Sequence, residues 1–291
     1  LEDALRELIQ ENPTHPYALS GLEKLSQAIE ALKTLCEAEG YPLRGSLERN
    51  WLLPTGLGTA RPTCLAPETM IAGDLRQPGK MLVVGFEGFP DFYPELIVDN
   101  LRSLGVAAQG IMLDLPSLDK QRFVTGRVLA ERFDTLEFRT EVARELEQRM
   151  VGIGAERIGF PAVLGLRNPM QVKADLEQQL SLPVFEIPSL PSSIPGMRLH
   201  NLLVSAIEQN GGRVYDGMQA LSAQAEGGRI QAVWSESAAR QKAHRASRYI
   251  LATGGILGGG VRVEAFEGAH ETVFGLPLSD SVGGAVGVEP D

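Results

Sequence analysis

The sequence is poor in the residues that most often build metal and disulfide sites. Of 291 residues, two are cysteine, Cys36 and Cys64, and four are histidine, His15, His200, His244 and His270. Two thiols exclude a disulfide scaffold and any cysteine-only zinc or iron–sulfur site within this chain. The histidines are scattered, with no H-x-x-x-H or H-E-x-x-H spacing, so no metal site is expected. Long apolar runs are missing as well. The longest uncharged glycine-rich stretch, Tyr249 to Val261, is too short and too glycine-dense to cross a bilayer. No basic-then-apolar segment opens the chain. Cations are outnumbered: 27 Lys and Arg stand against 37 Asp and Glu, a formal net charge of −10. That balance argues against a main task of gripping nucleic acid or anionic lipid, although it allows a local basic pocket. A reducing, cytoplasmic setting is the expectation. The first residue is Leu1 rather than methionine, and the chain is expected to be part of a longer protein.

At 43% hydrophobic residues the chain can bury a large core, and its length suits about two domains. Glycine (32) and proline (18) are in modest excess, which implies many tight turns or glycine loops. Leu1, Leu5, Leu8 and Ile9 sit at helical spacing and stop at Asn12-Pro13. A second stripe, Leu22, Leu25, Ile29, Leu32 and Cys36, ends at Gly40 and makes Cys36 a core residue. Ser20-Gly21-Leu22-Glu23 before it has capping-box form. Tyr41 to Pro78 is rich in Gly, Pro and Thr and reads as short strands and turns.

From Lys80 the pattern alternates between strand and helix. Met81 to Phe86 reads as a buried strand, Pro94 opens a helix ended by Gly105, and Ala107 to Leu113 is the next strand. That is a βαβ unit, which requires parallel pairing. Residues 120–150 are helical and charged with a break near Asp134, Arg157 to Phe160 is a strand, Asn168-Pro169 opens a helix to Leu180, and Pro183 to Ile187 is a strand. Residues 79–187 therefore read as a compact α/β domain. Pro188 to Gly196 is a proline- and serine-rich linker, followed by a helix ending at Gly211-Gly212. Strands Arg213 to Ala225 and Arg229 to Ser235 flank a Glu226-Gly227-Gly228 hairpin turn, and a last strand, Arg248 to Ala252, runs into Thr253-Gly254-Gly255.

The strongest chemical signal is Tyr249-Ile250-Leu251-Ala252-Thr253-Gly254-Gly255 with Gly258-Gly259-Gly260 behind it. An apolar strand ending in small residues lets backbone amides approach a planar or phosphorylated ligand that a Cβ would block. The same residues also suit a plain strand-end turn. The order helix, G-G turn, β-hairpin and A-T-G-G resembles two-domain flavoproteins of the fumarate reductase and glycerol-3-phosphate dehydrogenase kind. Further pieces are similar to the family of B-type subunits of anaerobic glycerol-3-phosphate dehydrogenase. They are His15-Pro16-Tyr17 with Gly21, Gly58-Thr59-Ala60-Arg61-Pro62-Thr63, Val83-Val84-Gly85 with Gly88 and Asp91-Phe92, Leu190 to Leu199, and Gly255 to Leu276. They are collinear with that family from about residue 5 to 278.

The resemblance implies an α/β, two-domain flavoprotein-like fold. Residues 1–78 and 188–291 would be parts of a flavin-binding-like domain with β-hairpin elements, and 79–187 an inserted cap-like domain. It implies a subunit of a respiratory enzyme oxidising sn-glycerol 3-phosphate to dihydroxyacetone phosphate. Electrons would pass to quinone by way of a catalytic flavoprotein subunit and an iron–sulfur subunit that anchors the assembly at the inner membrane. FMN is the implied cofactor, with FAD as the alternative. Other readings are a different flavin oxidoreductase on the same plan, or a non-catalytic assembly subunit. Members of this class open with a strand and a G-x-G-x-x-G turn, which is absent here. Gly85-Phe86-Glu87-Gly88 has the wrong spacing and reads as a strand-to-helix turn.

Candidate flavin contacts are Ala252, Thr253, Gly254 and Gly255. Candidate substrate contacts are Arg61, Thr63, Ser193 and Arg198. Arg61 lies in a Gly/Pro/Thr loop, where a planar guanidinium suits phosphate capture or loop bracing. Thr63 adds a hydroxyl. Arg198 falls in the first turn of a helix behind Ser192 and Ser193, a position that favours anions. A phosphate site at the seam of insert and flavin domain is one reading of that cluster; a turn serine and a surface arginine is the other. His200 and His244 could serve as bases for a hydroxyl proton, but each lacks a carboxylate nearby in sequence, and surface or packing roles are expected for them.

Overall fold

The computed structural model describes residues 1–90, 92–118, 123–190, 192–237, 240–264, 268–276 and 278. The chain divides into two compact units, Leu1–Gly212 and Arg213–Asp291.

The first unit opens with helices α1 (Glu2–Glu11), α2 (Pro16–Ser20) and α3 (Leu22–Ala38). Here the capping-box expectation is corrected. Ser20 closes α2, and Gly21, at φ 81°, is the residue before α3, with no side-chain cap. The reason is local: His15-Pro16 starts a short helix of its own, His15 Nδ1 accepting from the Tyr17 amide at 3.1 Å, and that helix absorbs Ser20. Cys36 is fully buried on α3 beside Tyr41, Leu43 and Leu202. Strands β1 (Leu43–Gly45), β2 (Trp51–Pro54), β3 (Ala60–Thr63) and β4 (Leu65–Pro67) follow, then a 3-10 turn at Glu68–Gly73. β1 pairs with β4 and β2 with β3, both antiparallel.

Next come β5 (Met81–Phe86), α4 (Pro94–Ser103), β6 (Ala108–Leu113), α5 (Gly126–Phe133), α6 (Leu136–Arg149), β7 (Arg157–Pro161), α7 (Pro169–Leu180) and β8 (Val184–Ile187). The four strands form one sheet in the order β6-β5-β7-β8, parallel throughout. Every residue of β5, β7 and β8 is buried. This is why β5 reads as an unbroken apolar run: a parallel sheet covered on both faces has no polar side to display. The main core joins these strands to the inner faces of α4–α7. Phe133 meets Phe138 edge-on at 5.0 Å. The break at Asp134 separates α5 from α6, and its carboxylate accepts from the amides of Leu166, Arg167 and Asn168. Helix α8 (Ile194–Gln209) closes the unit.

The second unit holds β9 (Ala220–Glu226), β10 (Arg229–Ser235), β11 (Lys242–His244), β12 (Val261–Glu264) and β13 (Gly268–Glu271), in antiparallel ladders β11-β10-β9 and β12-β13. Gly227 (φ 56°) and Gly228 (φ 75°) supply the two left-handed residues of the expected hairpin turn. The strand expected to begin at Arg213 starts only at Ala220. The one expected over Arg248–Ala252 is irregular backbone, because no described strand lies beside it to share a hydrogen-bond ladder. The Glu271 carboxylate accepts from the Val273 and Phe274 amides at 2.7 and 2.6 Å. Burial pushes its pKa up, but these amide bonds outweigh burial and hold it below the ordinary range.

Candidate functional site

A cavity of about 590 Å³ opens in the first unit. Its floor is the β2–β3 hairpin. Thr59, Arg61 and Thr63 alternate along one face of β3 and the turn before it, and all three line the cavity. Leu65, Ala66 and Met70 form the inner wall, Tyr93 and Leu96 come from the start of α4, and Pro188 to Leu190 complete the rim. Two glycines seat the hairpin. A Cβ on Gly58 (φ 73°) would lie 2.3 Å from the Ile97 carbonyl oxygen, and one on Gly56 would lie 2.6 Å from that of Pro188. The Asn100 side-chain amide donates to the Leu57 carbonyl at 2.7 Å and holds the turn against α4.

Arg61 is exposed and has no ion-pair partner among the described residues. Thr63 Oγ1 donates to the Leu65 carbonyl at 2.9 Å, so its lone pairs are what remain for a ligand. Thr55 and Thr59 share a hydroxyl–hydroxyl bond of 2.7 Å on the same wall. Sequence reasoning misses Thr55, Thr59, Tyr93 and Leu96 as lining residues. The period of two through Arg61 points to Thr59; the α4 residues arrive by tertiary packing alone.

The phosphate role expected for Arg198 is corrected. Its side chain is buried and its fork is already occupied, donating to the two Glu186 carboxylate oxygens at 2.7 and 2.9 Å. Its Nε donates to the Gly165 carbonyl at 2.8 Å. Burial alone would pull the guanidinium pKa down, but the Glu186 charge and hydrogen bonds outweigh it and hold the pKa above its ordinary value. Glu186 also accepts from Thr69 Oγ1 at 2.6 Å and from the Leu164 amide at 2.8 Å. Tyr41 completes the cluster, with the Arg198 guanidinium carbon 5.5 Å from its ring centroid. Ser193 is the residue before α8, and its hydroxyl accepts from the Gly196 amide at 3.1 Å, a helix cap.

In the second unit Ala252, Thr253, Gly254 and Gly255 enter a turn that ends at Gly260. Gly254 has φ 75° and Gly259 φ 78°, and a Cβ on Gly255 would meet nothing within 4 Å. The amides of residues 253–258 have no hydrogen-bond partner among the described residues. Bare backbone with open donors fits the ring edge or phosphate of a flavin, and this loop is where one could be held. His244 Nε2 shares a bond of 2.8 Å with Ser235 Oγ, and His200 is exposed on α8. Among the described residues no helix is long and apolar enough to cross a membrane, and no group of three or more His, Cys, Asp or Glu is placed to hold a metal.

Comparison with known proteins points the same way. The chain is 32% identical over 283 residues to the B-type subunit of anaerobic glycerol-3-phosphate dehydrogenase from Pectobacterium atrosepticum, covering 95% of this chain and 66% of that protein. It is 33% identical over 286 residues to the corresponding subunit from Yersinia enterocolitica, covering 94% and 66%. It is 29% identical over 281 residues to the probable corresponding subunit from Halobacterium salinarum, covering 92% and 64%. The chain thus spans just under two thirds of the length of these curated relatives. The profile of the FAD binding domain matches residues 1–282. The chain therefore belongs to the FAD binding domain family, whose cofactor is a flavin.

Proposed function

We propose that the chain is part of the B-type subunit of a respiratory dehydrogenase that oxidises sn-glycerol 3-phosphate to dihydroxyacetone phosphate. The observation that carries this reading is similarity along 94–95% of the chain to relatives named for that enzyme. The backbone of Ala252, Thr253, Gly254 and Gly255 would hold a flavin, which would supply a two-electron acceptor for an alcohol oxidation. FMN is the first candidate and FAD the second. Arg61 holds the substrate phosphate as a charged fork, and Thr63 accepts a hydrogen bond from a substrate hydroxyl. The relatives are named as one subunit of an enzyme, which supports partner subunits here; the partners of this reading are a catalytic flavoprotein subunit and an iron–sulfur subunit that anchors the assembly at the inner membrane.

The test is the visible spectrum of the full-length protein. Flavin bands that bleach on adding glycerol 3-phosphate are the expected result, and heat-released flavin separates FMN from FAD by chromatography. Bleaching only with another donor assigns a different flavin oxidoreductase. A colourless full-length protein that neither flavin reconstitutes overturns the proposal. In the active protein, Arg61→Ala should raise KM about tenfold to a hundredfold, the loss of one charged hydrogen bond worth roughly 1.5–3 kcal/mol.

A further inference from the structure

The cavity beside Arg61 is poorly matched to a small polyol phosphate alone. At about 590 Å³ it is of the size that encloses a drug-sized ligand. Arg61 is the single charged side chain among the described residues that line it. Apart from the hydroxyls of Thr55, Thr59, Thr63 and Ser189, most of the remaining wall is hydrocarbon, with Leu53, Leu65 and Met70 inside, and ligand hydroxyls lying against that hydrocarbon would lose water without replacing it. The rim carries a second, independent sign. Leu57, Tyr93, Leu96 and Leu190 come from three separate segments, each is 47–60% exposed, and all four converge on this one mouth. Isolated exposed apolar residues are ordinary, but a contiguous apolar lip around a preformed cavity marks a binding mouth.

We propose that this cavity takes an amphiphilic anion. A phosphate or carboxylate head pairs with Arg61, and an aliphatic or aromatic body lies against Leu53, Leu65 and Met70 and under the lip. The proposal rests on Arg61 as an anion holder, as in the proposed function, and not on flavin chemistry. It widens the ligand class of the site to phosphate monoesters and carboxylates with apolar substituents.

Calorimetric titration of the full-length protein tests it with octyl phosphate below its micelle concentration, glycerol 3-phosphate and octanol. Octyl phosphate should bind at least tenfold more tightly than either of the others. Arg61→Ala should erase its advantage over octanol. Leu57→Ser with Leu96→Ser, two changes at exposed rim positions, should weaken octyl phosphate at least fivefold without lowering the melting temperature. Equal affinity for the two phosphates, or no effect of Arg61→Ala, overturns the proposal. So does binding to phosphatidic acid vesicles without binding of the octyl phosphate monomer, because the lip would then be a surface and not the mouth of a cavity. If octyl phosphate binds as expected while glycerol 3-phosphate leaves the flavin oxidised, this inference stands and the substrate assignment falls.

Discussion

Thr69 Oγ1, the Leu164 amide and both terminal nitrogens of Arg198 converge on the carboxylate of Glu186. An ion pair this deeply buried is tolerated only when nearly every lone pair and proton has a partner, and this one meets that condition. Tyr41 beside it does not share in the network: its Oη is buried without a hydrogen-bond partner. Burial, helped by the Glu186 charge and opposed by Arg198, pushes the Tyr41 pKa from the ordinary 10 up to about 12. An unfolded chain gives up this proton near pH 10, while the folded chain keeps it to about 12. Stability is therefore intact below pH 10 and falls as pH rises between the two values, by roughly 2–3 kcal/mol. Urea unfolding from pH 8 to 12 should show that loss. Tyr41→Phe should show less of it and cost little at pH 8, since no hydrogen bond is removed. Parallel losses in both proteins would clear the phenol of the effect.

Helix α4 is flanked by two glycines with positive φ but different surroundings. Gly58 packs onto it, with a virtual Cβ 2.3 Å from the Ile97 carbonyl oxygen, whereas Gly105 ends it at φ 81° with nothing within 4 Å. Alanine at Gly105 should cost about 1 kcal/mol of left-handed strain, and alanine at Gly58 about 2–4 kcal/mol, because strain and a backbone clash add. Thermal melts of both variants check the difference; equal costs would mean that the hairpin can shift away from α4. The same elements show what the sequence can reveal. The βαβ run over 81–113 is legible because a strand buried on both faces must be apolar throughout and a helix between strands announces itself by proline and glycine. The segment over 248–252 reads wrongly as a strand because pairing depends on a neighbour that composition does not name. Arg61 and Thr63 are legible as polar residues in a loop, but not as one wall of a cavity. Arg198 misleads because its partner, Glu186, lies beyond a proline-rich linker, and nothing local in the sequence pairs the two side chains that meet in the folded chain.

The two units differ in how much they bury. The main core lies wholly within Leu1–Gly212. In Arg213–Asp291 the described buried apolar side chains are Ala232 and Val273. Few buried contacts and exposed ladders mean low local stability, so the β9–β10 amides should exchange with deuterium well before those of β5 and β7. Exchange at equal rates would show that both units open in one cooperative step. At this scale the family of the chain is legible from collinear motifs, each weak alone, because order along a chain carries information that a tetrapeptide does not.

The bond between Glu186 and Arg198 joins residues twelve apart in sequence and so closes a short ring of backbone that includes Pro188, Ser189 and Leu190. Closing such a ring removes conformers from the free protein before any ligand arrives, and proline removes more. The rim of the cavity is in this sense pre-assembled: a ligand entering beneath Leu190 has little backbone left to order, and the entropy that capture would otherwise cost has already been spent in folding.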